Sequence, residues 1–592
     1  MLRIALVLTA LPFLASFVSL VAAGADGPRN HDVALIELRS SDVVGGDLPL
    51  VGSYERFGGN QPGPWLFWLL ALPSLAGAIG IGAAVLVVGY CAVAGSMWVA
   101  RRRGGSILVM WTALLSVLMA LGRGFDRLTD PWEPMISLFL VVLAVMLVWE
   151  VAAGTWGALP WMVAVTWFLA SSWLMLTPMA AMLGVVGLAA VALRWYDVVR
   201  SGDPVERRRA FVWTIAGVGV LVLMALPTVI EQLTSTPGNL TELRSAATSP
   251  ASTVGVSGGW RALRLQFDLW APWLGRSLPV TFSSEVDGSS AFAVPSALVV
   301  WISSMVALLV AGRRTRRSGD GERVVVSEAL GDPAPPWWLH AGIGAVFIGL
   351  LVGLSLSRGG VAVWSMQPTA ALAMLLWLAT GWTVTRLVLV RRSETWSTCT
   401  AMVLAASLVV VVAVSTVAAL RSDQGLDRLP GALAELADAV PDEVPVGSGP
   451  FLVTSDAEVD EVFESVDFGV AELITSLDRR GVRTVVEPDL APRFGGRRSQ
   501  PERAAGELRI ESGAARPDGD GWTMVRRVDP LTPGERRRRG ELDREIEEAS
   551  NGADGADLLR VAAADPRLAA LLRESADLPS DPPLSLWYRT AR

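Results

Sequence analysis

The chain has 592 residues, of which 52% are hydrophobic and only 18% charged, with a mean hydropathy of +0.44. Those values lie outside the range of ordinary soluble globular proteins and point to a chain that crosses a membrane many times. All 50 basic residues are arginine, and the formal net charge is −7. The heavy use of Ala, Gly, Val and Arg fits the codon bias of a high-GC bacterial genome. Cys91 and Cys399 each lie in or beside an apolar run, which argues against a structural disulfide or a Cys-based metal site. The two histidines, His31 and His340, exclude a His-rich metal centre.

The first apolar run, 4–24, follows Arg3 and ends in small residues near Ala22–Ala25, as a cleaved signal peptide does. Its length of about 20 residues is nearer a spanning helix than the roughly 7–15 of a signal core, so a retained first helix is expected. Further spanning runs lie at 77–99, 105–121, 135–152, 159–177, 179–195, 210–228, 292–312, 338–356, 365–388 and 399–419. The total is about eleven, with Pro178 splitting one long run. "PWLFWLLALPSLAG" (64–77) is too short to span and suits a helix in the outer interface.

Arginines cluster at 101–103, 207–209, 313–317 and 391–392. A cytoplasmic N-terminus in a bacterial plasma membrane puts all four clusters on the cytoplasmic side. It also puts 25–63, 122–134, 229–291 and everything after about 420 outside.

Outer loop one carries Asp32, Glu37, Asp42, Asp47, Glu55 and Arg56. If 32–44 is helical, Asp32 and Glu37 stand about 500° apart around the axis, oblique neighbours rather than one stacked face. Asp32 lies within about eight residues of the first span. A carboxylate held beside an apolar surface is partly desolvated and inclined to a raised pKa, as a general base needs. Outer loop two, "GRGFDRLTDPWEP" (122–134), gathers Arg123, Asp126, Arg127, Asp130 and Glu133 around a tryptophan. Three carboxylates suit a hard divalent cation (Mg, Mn or Ca), and two guanidiniums suit a phosphate.

The third outer segment opens with "PTVIEQLTSTPGNLTEL" (227–243), where Glu231 and Gln232 are further polar candidates. It continues to "WRALRLQFDLWAPWLGR" (260–276), whose alternation of Trp, Leu and Phe with Arg261, Arg264 and Arg276 reads as an interfacial helix. No phosphate-cradling glycine loop, Ser-His-Asp set or nucleic-acid surface is present. Glu150 is the main ionisable residue of the spans, and it lies at a helix end. That scarcity argues against an ion-coupled transporter.

Beyond a Pro/Asp/Gly-rich hinge, 449–456, 482–488, 506–510 and 522–528 read as strands around an amphipathic stretch, 457–480. Charged helices follow at 532–550 and 556–576. The expected domains are 1–420, polytopic, and 421–592, a small extracytoplasmic α/β domain. The latter lacks His and Cys, so docking or acceptor recognition is its expected work.

The order of these features resembles the GT-C superfamily of integral membrane glycosyltransferases. A first span precedes Asp-x4-Glu, then "GDLPLVG" and "RFGGNQPGPWLFWL", then many spans and an outer domain. The chain is similar to aminoarabinose transferases and protein O-mannosyltransferases, and more closely to actinobacterial members with Trp-Asn-His-Pro-Gly-Pro in the first loop and Asp-Pro-Trp-Asn-Pro in the second. Here these read "GGNQPGP" (58–64) and "DPWEP" (130–134), with Gly59, Gln61 and Glu133 where that group has Trp, His and Asn. The segment "EQLTSTPGNLTEL" also resembles one in that group, and the likeness covers the chain to about 420.

The resemblance implies an α-helical polytopic GT-C-like membrane protein with about eleven transmembrane helices. It implies a polyprenyl-phosphate-linked sugar donor, a cell-envelope glycan or lipid acceptor at the outer face, and Asp32 as general base. Glu37 is then a supporting residue. Arg56, Arg123 and Arg127 are donor-phosphate candidates, and Asp126, Asp130 and Glu133 supporting or metal candidates. Gln61, Glu231 and Gln232 are further loop candidates. A lipid or glycan transporter and an inactive envelope-assembly scaffold are the competing readings.

Overall fold

A computed structural model describes residues 1–24, 30–55, 58–248, 253–267, 295–317, 336–358, 366–389, 394–425, 428–445, 449–455, 469–513, 516–550, 565–577 and 582–590. It falls into two compact units, Met1–Gly24 with Ser40–Gly425 and Ala25–Arg39 with Leu426–Arg592.

The helices begin with α1 (Leu2–Ala23), α2 (His31–Val44), α3 (Trp65–Ser74) and α4 (Gly77–Arg123). Next come α5 (Glu133–Ala152), α6 (Leu159–Ser172), α7 (Thr177–Ser201), α8 (Pro204–Thr234), α9 (Asn239–Thr248) and α10 (Gly255–Arg264). The first unit closes with α11 (Ser296–Arg317), α12 (Trp337–Ser355), α13 (Gln367–Leu389) and α14 (Glu394–Leu420). Among the described residues, eight helices are long and apolar enough to cross a membrane. The protein is a polytopic helical membrane protein.

Three local features separate those eight from the eleven apolar runs. The runs 77–99 and 105–121 share α4, whose 47 residues are broken at Gly104 and at Gly105, with φ 64° and ψ −156°. Unbroken, such a helix would measure about 70 Å, twice the hydrocarbon thickness, and only glycine adopts that backbone freely. The run 159–177 yields α6, only 14 residues long. Its break falls at extended Trp173, whereas Pro178 sits in the first turn of α7, where its missing N–H costs nothing. The apolar part of α11, Ser296–Val310, is likewise short.

Nearly every side chain of α5 is buried, including Val141, Val145 and Trp149, so this helix, apolar all round, runs through the middle of the bundle. On α8, Val222, Leu223 and Leu226 are exposed, as a lipid-facing helix requires. Buried Glu150 of α5 is neutralised by Arg103 (2.5 Å) and Arg102 (3.0 Å) beside the α4 break, which satisfies the one conspicuous charge of the spans.

The second unit is α/β. It holds α15 (Arg428–Glu443), α16 (Val470–Arg479) and strands β1 (Phe451–Ser455), β2 (Thr484–Val485), β3 (Gly506–Ser512), β4 (Thr523–Val528) and β5 (Leu584–Thr590). The sheet order is β2-β1-β3-β5-β4, with β1 parallel to β2 and β3, and β5 antiparallel to β3 and β4. Strands β1 to β4 lie where the alternation placed them, and β5 does not appear in that reading. Residues 456–468 and 551–564, parts of the expected amphipathic stretch and last helix, lie outside the described residues.

The core joins Leu433, Leu436 and Val440 of α15, Leu473, Ile474 and Leu477 of α16, and Phe451, Leu508, Ile510 and Leu586 of the sheet. Ala34 and Leu38 of α2 are buried in the same core. The expected division kept all of 25–63 with the apolar part; residues 25–39 instead belong to this unit, because the apolar face of α2 is spent here.

Candidate active site

Asn30 starts α2 by accepting the Val33 N–H at 3.0 Å, a side-chain N-cap that places Asp32 in the first turn. Asp32 is exposed to solvent, yet protein crowds it enough that desolvation dominates its pKa, which is raised. Protonated His31 opposes that shift and Glu472 adds to it. Solvent access combined with poor hydration describes a carboxyl that a substrate hydroxyl can reach and that water does not fully stabilise as an anion.

Glu37 is placed otherwise. It is buried and takes a two-pronged ion pair from Arg479, with Nε to Oε1 at 2.5 Å and Nη2 to Oε2 at 2.6 Å. Five residues apart on α2, the two carboxylates point to different work. Asp42, Asp47 and Glu55 also have partners. Of the five carboxylates between 30 and 55, Asp32 alone has no hydrogen-bond or ion-pair partner among the described residues.

In the first unit, residues 52–55 and 58–61 pair as the two arms of a hairpin. Gly52 N–H donates to Gln61 O at 2.8 Å, Gln61 N–H to Ser53 O at 2.7 Å, and Tyr54 bridges Asn60. Gln61 is buried at its base, its amide donating to Glu55 while its carbonyl accepts the Leu174 N–H at 2.6 Å. Asn239 binds the hairpin reciprocally, accepting from Asn60 N–H at 2.7 Å and donating to Asn60 O at 2.9 Å. Glu231 in turn accepts the Asn239 N–H at 3.0 Å, and Gln232 accepts the Leu240 N–H at 2.8 Å, capping α9. Gln61, Glu231 and Gln232 thus hold backbone. The two motifs "GGNQPGP" and "EQLTSTPGNLTEL" are pieces of one scaffold joined through Asn239.

Replacing Asn239 by alanine strands both the N–H and the carbonyl of Asn60, at about 1–3 kcal/mol for the lost pairing. The expected result is a lower thermal midpoint and faster protease cleavage within 52–61, read by mass spectrometry.

Outer loop two folds back on its own unit. Phe125 O accepts from Ser16 at 3.0 Å and from Gln424 at 3.0 Å, and Gln424 accepts from Thr129 at 2.8 Å. Gly124, at φ 89°, ends α4 with a backbone that favours glycine. Arg123 donates to Gln367 at 2.9 Å. Arg127, on a short 3-10 turn (Arg127–Thr129), is exposed, makes no ion pair or side-chain hydrogen bond among the described residues, and lies close enough for its charge to act on Arg123. Two neighbouring guanidiniums repel each other unless an anion joins them.

The carboxylates of this loop do not combine. Asp130 accepts the Trp132 N–H at 2.9 Å, buried Glu133 accepts from Ser53, and Asp126 stands half-buried at the start of the 3-10 turn. Among the described residues no three His, Cys, Asp or Glu side chains converge to hold a metal, so the donor set expected for Mg, Mn or Ca is not assembled. Arg56 lies outside the described residues, as does 268–276 of the expected interfacial helix. Its described part, α10, carries Arg261 and Arg264 and packs on α12, with Gly259 against Ser355.

Sequence reasoning missed Glu472, Thr475 and Arg479, which face α2, and gave His31 no role. Their i, i+3, i+7 spacing on one helix face was the available signal, but nothing local says which helix that face meets.

No family model matches the chain, and no curated protein is similar to it in sequence. Among solved structures the chain is similar to ArnT from Cupriavidus metallidurans bound to undecaprenyl phosphate, with a TM-score of 0.44 and 14% identity over 86% of this chain and 92% of that one. It is also similar to the archaeal oligosaccharyltransferase AglB from Archaeoglobus fulgidus in complex with an inhibitory peptide and a dolichol-phosphate. There the TM-score is 0.45 and the identity 10%, over 99% of this chain and 88% of that one.

Proposed function

We propose that the chain transfers a sugar from a polyprenyl-phosphate carrier to a hydroxyl of a cell-envelope glycan or lipid at the outer face of the membrane, with Asp32 as general base. The observation that carries this reading is Asp32 itself: reachable by solvent, poorly hydrated and unpaired among the described residues, while the other described carboxylates of its loop are committed. The acceptor hydroxyl gives its proton to the Asp32 carboxylate as its oxygen bonds to the anomeric carbon. The bond from that carbon to the phosphate oxygen breaks, and polyprenyl phosphate leaves with the electron pair. Phosphate is already a good leaving group, so one base and cationic stabilisation suffice. Guanidiniums such as those of Arg123 and Arg127 suit the phosphate charge by residue type.

The inactive-scaffold reading rested on Gln61 and Gly59 standing where related chains have His and Trp. Gln61 is engaged with Glu55 and the Leu174 N–H, so an exchange at this position alters hairpin support rather than the base. The test is transfer of a radiolabelled sugar from polyprenyl-phosphate donors by the purified chain, beside the Asp32→Ala variant. Transfer that survives in the variant would sink the role of Asp32.

A further inference from the structure

Within the second unit, α2 and α16 lie side by side and meet through matched positions. His31 Nδ1 faces Glu472 Oε2 at 3.9 Å, Thr475 donates to Ala34 O at 3.1 Å, and Arg479 clamps Glu37. The contacts advance by three, then four residues on α16 and by three, then three on α2, so the two helices run in the same sense with one face each engaged. The N-terminal rung of this ladder, His31 with Glu472, lies at Asp32. Glu472 is buried and His31 nearly so.

Burying a carboxylate beside an imidazole costs desolvation unless the pair is charged and opposed. Nothing in the packing of α2 requires that cost, because Thr475 and Arg479 already fix the helix at its next two turns. The rung therefore calls for another explanation, and its neighbour supplies one.

We infer that His31 and Glu472 are positioning residues that set the charge state in which Asp32 meets an acceptor. This rests on the base role proposed above for Asp32. The two act with opposite sign: the imidazolium favours the Asp32 anion, and the Glu472 carboxylate disfavours it. The other charged groups of the packed elements are otherwise engaged. On α2, Glu37 is held by Arg479, and Arg39 lies against Gly495. On α15, Glu435 meets Arg526 and Asp438 meets Arg480; on α16, Asp478 faces Arg498. Asp32, His31 and Glu472 all belong to the α/β unit, which has no Cys and no further His.

The test reads Asp32 directly in the full chain in nanodiscs. A water-soluble carbodiimide labels the protonated carboxyl, and peptide mass spectrometry follows Asp32 labelling against pH. Glu472→Gln is expected to move the labelling midpoint to lower pH and His31→Gln to move it to higher pH. Opposite shifts are a signature that loosening of the helix pair cannot produce, since loosening moves both variants toward an ordinary aspartate. Midpoints that stay put, or that move together, overturn the proposal. In the transfer assay the acidic limb of the pH–rate profile should follow the labelling midpoint in each variant. Should the labelling shift as stated while Asp32→Asn still transfers sugar, the coupling stands and the base role falls, so the two claims fail separately.

Discussion

If Asp32 is the proposed base, replacing it by asparagine is expected to lower sugar transfer by about 10²–10⁴-fold, the contribution of a positioned general base, and at the same time to raise thermal stability at neutral and alkaline pH. The second half follows from proton linkage. The folded-state pKa of Asp32 is raised, so between the ordinary aspartate value and the raised one the folded chain binds more protons than the unfolded chain. Stability then falls as pH rises through that window. Asparagine carries no charge, so the variant escapes the loss above the window and gains nothing below it. Opposite effects on activity and stability mark a residue kept for chemistry; thermal scans at several pH values beside transfer assays measure both. An Asp32→Asn chain that is both less stable and fully active would contradict the assignment twice.

Arg479→Ala is the second large effect. It leaves Glu37, 4% exposed, as an unpaired buried carboxylate, and removing one partner of such a pair costs about 3–5 kcal/mol. The damage falls on the docking of α2 against α16, on which the position of Asp32 depends. Exchanging both partners for leucine should recover part of the loss, because two apolar side chains leave no orphaned charge. Denaturant unfolding of the single and double variants gives the comparison. A double variant as unstable as Arg479→Ala would mean that the pair does more than neutralise itself. Transfer by Arg479→Ala is expected to fall with stability, whereas Asp32→Asn separates the two.

The apolar runs were legible because a spanning helix needs about 20 apolar residues whatever packs against it. Where the run was continuous the reading erred. Nothing in "SSWLMLTPM" says that the chain breaks at Trp173 rather than at Pro178, since proline is tolerated in a first helical turn. Strand β5 escaped notice because "LSLWYRT" is buried without alternation and its partners are set by the finished sheet. Asp32 was proposed from its place just beyond the first apolar run, and the structure adds its solvent exposure and raised pKa. Its neighbour Glu472 was not legible, because the ladder joins residues 441 apart in the chain, and an amphipathic helix face records only that it is covered.

The motif residues show the opposite limit. Gln61, Glu231 and Gln232 looked like site residues because a polar side chain in a Pro/Gly-rich loop reads the same whether it binds a substrate or a backbone amide. Here each accepts a main-chain N–H: Gln61 that of Leu174 between α6 and α7, Glu231 and Gln232 those of Asn239 and Leu240 in α9. Glu37 is a similar case, an acidic loop residue whose partner is Arg479. Asp32 stands apart because it makes no such bond among the described residues.

The most direct measurement is the stoichiometry of transfer in proteoliposomes holding the purified chain, a polyprenyl-phosphate-linked sugar and envelope acceptors. The account predicts one polyprenyl phosphate released for each sugar joined to acceptor, with both products lost together in Asp32→Asn. Transfer from a nucleotide sugar instead, or equal yields from the parent chain and Asp32→Asn, would contradict it.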